Sequence, residues 1–136
     1  MTDVFSKDKR SEIMSRVKGK NTKPEKLVRC LLHGMGYRFR LYVDDLPGKP
    51  DIVLARHRKV IFVNGCFWHG HRSCRKGELP ASNRDFWEEK IEKNRKRDVE
   101  SRRHLRSLGW KVLTIWECET KDPRKTMNRL MRFMRT

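Results

Sequence analysis

The 136-residue chain predicts an α/β fold, a mixed β-sheet flanked by helices in the order α-β-β-β-α-β-α. Three observations carry this. Helix-start signals stand at Thr22, Ser82 and Asp122, two β-branched runs are separated by only four polar residues, and a further strand-like run follows the longest helical pattern. The length fits one domain, residues 1–136 with 1–21 as an N-terminal arm, and 36% hydrophobic residues suffice for one modest core.

The elements follow in order. Ser6 to Val17 is weakly periodic, a short basic helix with Ile13, Met14 and Val17 along one side, or an arm. Thr22-Lys23-Pro24-Glu25 is a capping box with Pro in the first turn; Leu27, Val28, Leu31, Leu32 and Met35 then keep helical spacing until Gly34 and Gly36. Tyr37 to Val43 alternates apolar residues with Arg, the pattern of a half-exposed strand, and Leu46-Pro47-Gly48 turns the chain. Asp51–Ala55 and Val60–Asn64 form a hairpin around Arg56 to Lys59, in which Ala55 faces Val60 and Asp51 faces Asn64. Gly65 to Ala81 is an aperiodic loop that something must organise. Ser82-x-x-Asp85 caps a long helix that stops at Leu108-Gly109. Trp110 to Trp116 is the next strand, and Asp122-Pro123 opens a last helix with Met127, Leu130, Met131 and Met134 on its apolar side.

The net charge of +17 amounts to one surplus positive charge per eight residues. It is spread over several elements and not confined to a tail, as expected of a folded surface that tracks a polyanion, with nucleic acid the leading partner. No helix pairs a basic face with a broad bulky apolar one, which disfavours a membrane surface. No run approaches a membrane span, and MTDVFSKDKR lacks the apolar stretch of a signal peptide, so a cytoplasmic protein is expected. Thiols stay reduced there, and the four cysteines read as metal ligands or core residues before disulfides.

Cys66-x4-His71-x2-Cys74 supplies three ligands within nine residues, and Cys118, just past a strand, could close a tetrahedral Cys3His zinc site that would pin the aperiodic loop to the sheet; the alternative is two ordinary buried cysteines and surface histidines. Cys30, mid-helix beside Leu31, reads as core. His69, two residues before His71 and three after Cys66, cannot easily share that tetrahedron with both, which leaves its ring free for other work such as acid-base catalysis. Phe67 and Trp68 lie between the ligands, a poor place to bury two large aromatics, and Trp87 adds a third; they form either a wedge for a deformed duplex or a plug beneath the loop. Asn94 and Asp98 interrupt the inward stripe of Trp87, Ile91, Leu105 and Leu108. Either they point into a site, with Asp98 accepting from a His69 ring nitrogen, or that stretch lies beyond the core edge and is solvated.

Pro50-Asp51 opening a strand, with a polar residue facing it on the neighbour, resembles the PD-(D/E)xK nuclease fold, in which oxygen ligands hold a divalent cation on a scissile phosphate. The family's Asp/Glu-x-Lys tripeptide is here Phe62-Val63-Asn64, so its second carboxylate and lysine are absent. Taken alone, Pro-Asp is equally the start of any strand after a turn.

Pro-Gly-Lys-Pro-Asp (47–51), Val-Ile-Phe-Val-Asn-Gly-Cys-Phe-Trp-His-Gly-His (60–71), Phe-Trp-Glu-Glu-Lys-Ile (86–91) and Gly-Trp-Lys-Val-Leu-Thr-Ile-Trp-Glu-Cys (109–118) together resemble the very short patch repair (Vsr) DNA mismatch endonucleases. The likeness covers nearly the whole chain, and Cys-Phe-Trp-His-x-His is its most specific block. The resemblance implies a magnesium-dependent enzyme that recognises a T:G mismatch in double-stranded DNA and nicks one strand beside the mispaired thymine. It implies Asp51 and the Val63 carbonyl as magnesium ligands, His69 as the catalytic histidine, Glu25 near the metal water, and Cys66, His71, Cys74 and Cys118 as zinc ligands. Phe67, Trp68 and Trp87 match the aromatic wedge, Met14 a residue of the DNA-gripping arm, and Lys90 and Asn94 contacts to the mismatched pair. Asn64 departs from a second active-site histidine common in the family. A nucleoid-associated monomer is expected, and partner proteins are not legible. Two other functions compete: a nuclease for another lesion or site, and a zinc-stapled DNA-binding module without catalysis.

Overall fold

The computed structural model describes residues 22–71 and 78–136. The N-terminal arm with Met14, and Cys74, lie outside the described residues.

Helix α1 (Lys23–Gly34) starts where Thr22 Oγ1 accepts from the Glu25 N–H at 3.3 Å, with Pro24 in the first turn where a missing N–H costs nothing. The strand expected over 37–43 shrinks to β1 (Arg40–Leu41), because Tyr42 at φ 52 turns the chain out of extended geometry. β2 (Ile52–Leu54) and β3 (Lys59–Asn64) pair antiparallel in a register two residues from the expected one, with Leu54 facing Lys59 and Ile52 facing Ile61. The cause lies in the turn. Ala55–His57 winds into a 3-10 turn and Arg58 takes a left-handed φ of 55, its N–H bonded to the Ala55 carbonyl, so the four-residue loop falls one residue earlier. A two-residue slip preserves which face each side chain occupies, so Asp51 and Asn64 still project from the same face although they no longer stand opposite each other.

Helix α2 (Arg84–Ser107) is not capped by Ser82: its N-cap is Asn83, at φ 55 with no side-chain capping bond. Its far end follows expectation, with Gly109 at φ 92 just beyond Leu108. Leu108 is 47% exposed and falls off the buried stripe. β4 (Lys111–Trp116) runs parallel to β3, so α2 is the crossover of a β-α-β unit and the four-stranded sheet is mixed, in the order β1-β2-β3-β4. A 3-10 segment (Glu117–Lys121) leads to α3 (Pro123–Met134), whose N-cap Asp122 accepts from the Lys125 N–H.

The sheet is covered on both faces. Ile52, Leu54, Ile61, Val63 and Ile115 pack against Val28 and Leu32 of α1 and Leu130 and Met134 of α3. On the other face Val53 and Val60 pack against Leu105 of α2. Alternation along β3 thus sends Ile61 and Val63 toward α1 and α3, and Phe62 and Asn64 toward α2. Cys30, expected in the core, is exposed, because Val28 and Leu32 take the inward positions of α1 on either side of it. Lys59 is buried despite its charge. Its Nζ donates to the Met134 and Thr136 carbonyls at 2.9 and 3.0 Å, satisfying the C-terminal end of α3.

Candidate active site

The α2-facing side of β2 and β3 opens into a cleft of about 120 Å³ whose floor holds Asp51, Val63 and Asn64 and whose wall holds His69, Asp98 and Arg102. The turn before β2 reaches this wall only because residue 48 is glycine. A Cβ there would lie 2.6 Å from Ser101 Cβ, and φ is +74. Asp51 Oδ2 accepts from the Val63 N–H at 2.7 Å. Burial raises the Asp51 carboxyl from its ordinary 3.8 to about 7; the nearby Glu25 carboxylate adds to the rise, while the Val63 N–H, His69 and Arg29 oppose it.

His69 enters the cleft from the loop after β3, its N–H bonded to the Gly65 carbonyl. Its Nδ1 lies 2.7 Å from Asp98 Oδ2, with both side chains about a quarter exposed. The Asp98 carboxylate accepts a hydrogen bond from the Nδ1–H, which leaves Nε2 as the basic nitrogen. The loop seats on α2 through Gly70, at φ +63, where a Cβ would meet Ile91 Cγ2 at 2.4 Å. Arg95 Nε donates to the Gly70 carbonyl and Asn94 Nδ2 to that of Trp68, both at 2.9 Å. Asn94 does not line the cleft: its Nδ2 holds the loop, while its Oδ1 accepts from Arg97 on the same helix at 2.8 Å.

Glu25, on α1, flanks the same end of β3 as Asp51. Its carboxylate is buried, accepting from Arg29 at 3.0 Å and from the Tyr42 hydroxyl at 2.5 Å. It borders a second depression shared with Val63, Asn64 and Trp68, so the end of β3 lies between two acidic side chains, Asp51 and Glu25. A buried, proton-retaining carboxylate beside a second carboxylate suits a divalent cation, which would relieve both the desolvation and the mutual repulsion. Arg29 and Tyr42 escaped the sequence reading, since Tyr42 meets Glu25 only through its unusual backbone.

Cys66, His71 and Cys118 converge, their ligand atoms all within 4.8 Å of one another. Cys118 Sγ lies 3.5 Å from His71 Nδ1. Zn–S bonds of about 2.3 Å and Zn–N bonds of about 2.0 Å give a tetrahedral S···N edge of about 3.5 Å, so the Cys118–His71 pair has the spacing of two zinc ligands, with Cys66 beside it. The His71 ring is aimed by stacking on Trp116, at 4.2 Å between centroids and 9° between planes. Cys66, the buried member, takes its position from its own N–H, which donates to Glu117 Oε1 at 3.3 Å.

Phe67, Trp68 and Trp87 meet edge to face, with centroids 5.2 to 5.9 Å apart. Phe86, which sequence reading passed over, extends this cluster at 5.1 Å from Trp87 and is 58% exposed. Lys90 Nζ lies about 6 Å from the Trp68, Trp87 and Phe86 rings. A half-buried aromatic ridge with a cation beside it is suited to stacked bases.

The family described as DNA mismatch endonuclease Vsr matches residues 2–76. This chain is a member of that family. It is 43% identical over 125 residues to the DNA mismatch endonuclease Vsr of Escherichia coli, covering 92% of this chain and 80% of that one. To the type II nicking enzyme V.XorIIP of Xanthomonas oryzae pv. oryzae it is 54% identical, covering 90% and 89%. Against V.NmeAIP of Neisseria meningitidis the identity is 49%, covering 97% and 96%. Among solved structures, the catalytic domain of the homing endonuclease I-Bth0305I aligns with a TM-score of 0.57 at 23% identity, over 83% of this chain and 94% of that domain, a likeness of fold. The Vsr family member thus shares its α/β core with a nuclease domain and is an endonuclease whose partner is DNA.

Proposed function

We propose that this Vsr-type mismatch endonuclease recognises a T:G pair in duplex DNA and hydrolyses one phosphodiester beside the mispaired thymine, with magnesium at Asp51 and the Val63 carbonyl. The observation that carries this is the joining of Asp51 and the His69–Asp98 pair in one cleft, next to an aromatic ridge.

Bound magnesium would supply the positive charge that polarises the phosphate and acidifies water. The chain's residues do the rest. Asp98 fixes the His69 tautomer, so that Nε2 takes a proton from the attacking water. The water oxygen bonds to phosphorus, one P–O ester bond breaks, and the departing oxygen gains a proton from solvent. Glu25, held by Arg29 and Tyr42, bounds the site on the far side of Val63 and orients water there. Asn64 stands where the family commonly has a histidine; its amide hydrogen-bonds water or phosphate without titrating. Phe67, Trp68 and Trp87 push between base steps, offsetting lost stacking with new contacts, and Lys90 lies beside the opened pair. Cys66, His71 and Cys118, with Cys74 as the expected fourth ligand, would hold a zinc ion that would anchor the loop carrying both His69 and the wedge residues Phe67 and Trp68. Met14 and the arm grip the duplex from the other groove, and the protein acts as a cytoplasmic, nucleoid-associated monomer.

The test is strand scission on labelled duplexes bearing one T:G pair, one A:C pair or one T:A pair, with magnesium or EDTA. The expected result is a magnesium-dependent single-strand cut at the T:G pair alone. Cutting of all three duplexes alike would replace this reading with a nuclease for another site; binding without cutting would leave a DNA-binding module.

A further inference from the structure

Hydrolysis of a phosphodiester builds negative charge on the phosphoryl oxygens, and permanent cations aimed at that charge supply much of the rate. The tripeptide Phe62-Val63-Asn64 carries no lysine. Among the described residues the permanent cations lining the cleft are Lys49, brought there by the Gly48 turn, and Arg102 of α2. Arg102 is half-buried, and its guanidinium has no hydrogen bond or ion pair among the described residues. That freedom has a structural cause. Asp98, four residues earlier, is its natural partner on a helix face, but the Asp98 carboxylate is committed to His69 Nδ1 at 2.7 Å. Neighbouring arginines differ: Arg95 clamps the Gly70 carbonyl and Glu92, and Arg103 is exposed and lines the outer groove along α2, which Arg102 also borders, but not the cleft.

We infer that Arg102 is a further catalytic residue, whose guanidinium meets the phosphoryl oxygens of the strand being cut and carries the charge role that Asn64 cannot. Lys49 flanks the same phosphate from the turn. The inference rests on the hydrolytic reading above. The planar fork of arginine matches two phosphoryl oxygens at once, and with no partner to leave among the described residues, it reorganises little when DNA arrives.

The test compares wild type, Arg102→Ala, Arg102→Lys and Arg103→Ala on a T:G duplex, measuring Kd and the single-turnover nicking rate at saturating enzyme. Arg102→Ala is expected to cut about 100-fold more slowly while Kd changes less than about threefold, and Arg102→Lys to recover part of the rate. Arg103→Ala is expected to weaken binding with the saturated rate intact. Melting curves of Arg102→Ala should match wild type, since the guanidinium bonds to nothing among the described residues. Were Arg102→Ala to behave as Arg103→Ala, with weaker Kd and an unchanged saturated rate, the catalytic assignment would be overturned and Arg102 would be a backbone contact. A wild-type protein that binds and does not nick would instead remove the hydrolytic reading itself.

Discussion

At the scale of single residues, Asp51 carries the tension between folding and function. The folded protein holds the Asp51 proton up to about pH 7, whereas the unfolded chain releases it near 3.8. The native state therefore binds more protons across that window, and the metal-free protein loses stability as pH rises from about 4 to about 7, with the full penalty present above it. Asp51→Asn keeps an acceptor for the Val63 N–H and removes the buried charge. It should abolish nicking yet stabilise the metal-free protein by about 2 kcal/mol at pH 8, roughly half the nominal conversion because the carboxyl is partly open to solvent. Thermal melting at pH 5 and pH 8 checks this: the gain should fade at the lower pH, and a gain equal at both would point to packing. A cation must displace the same proton, so magnesium affinity should rise with pH through about 7. Asn64 is the second test. It is buried at 4% exposure between the two depressions, and Asn64→His should preserve or raise nicking. Complete loss would show that the amide has a role of its own.

Among the elements, the loop between β3 and α2 depends most on close approach. Gly70 leaves no room for a methyl group against Ile91 and Arg95 and has a left-handed backbone, so Gly70→Ala should lift His69 off Asp98. The expected outcome is at least a tenfold loss of nicking rate together with a lower Tm; an unchanged rate would mean that the loop seats without this contact. Much of this scale was legible in sequence. Thr22 and Asp122 cap the helices they were expected to cap, and alternation put Asp51 and Asn64 on one face. What was not legible has local causes. The left-handed residues Tyr42, Arg58 and Asn83 carry no sequence signal comparable to glycine, and each displaced something: the end of β1, the hairpin register, the cap of α2. Asp98 was found because an interrupted apolar stripe asks for a partner, whereas the Glu25–Arg29–Tyr42 cluster joins segments with no shared periodicity.

Across the whole molecule, charge and the proposed zinc site are tested together. With a net charge of +17, affinity for duplex DNA should fall about a thousandfold between 50 and 200 mM salt, measurable by fluorescence anisotropy. A flat salt profile would remove phosphate contacts as the main source of affinity. Stripping zinc, or Cys118→Ser, should release the loop that bears His69 and the wedge, lowering Tm and the nicking rate together while leaving the two sheet-face cores intact. Zinc content near one atom per chain, absent in the variant, accompanies that outcome. The most direct measurement sets binding against cutting on one T:G duplex with magnesium, for wild type and Asp51→Asn. Equal binding, with nicking by the wild type alone, is the expected result. Nicking by Asp51→Asn at the wild-type rate would contradict the account, because the chemistry would then lie outside this cleft.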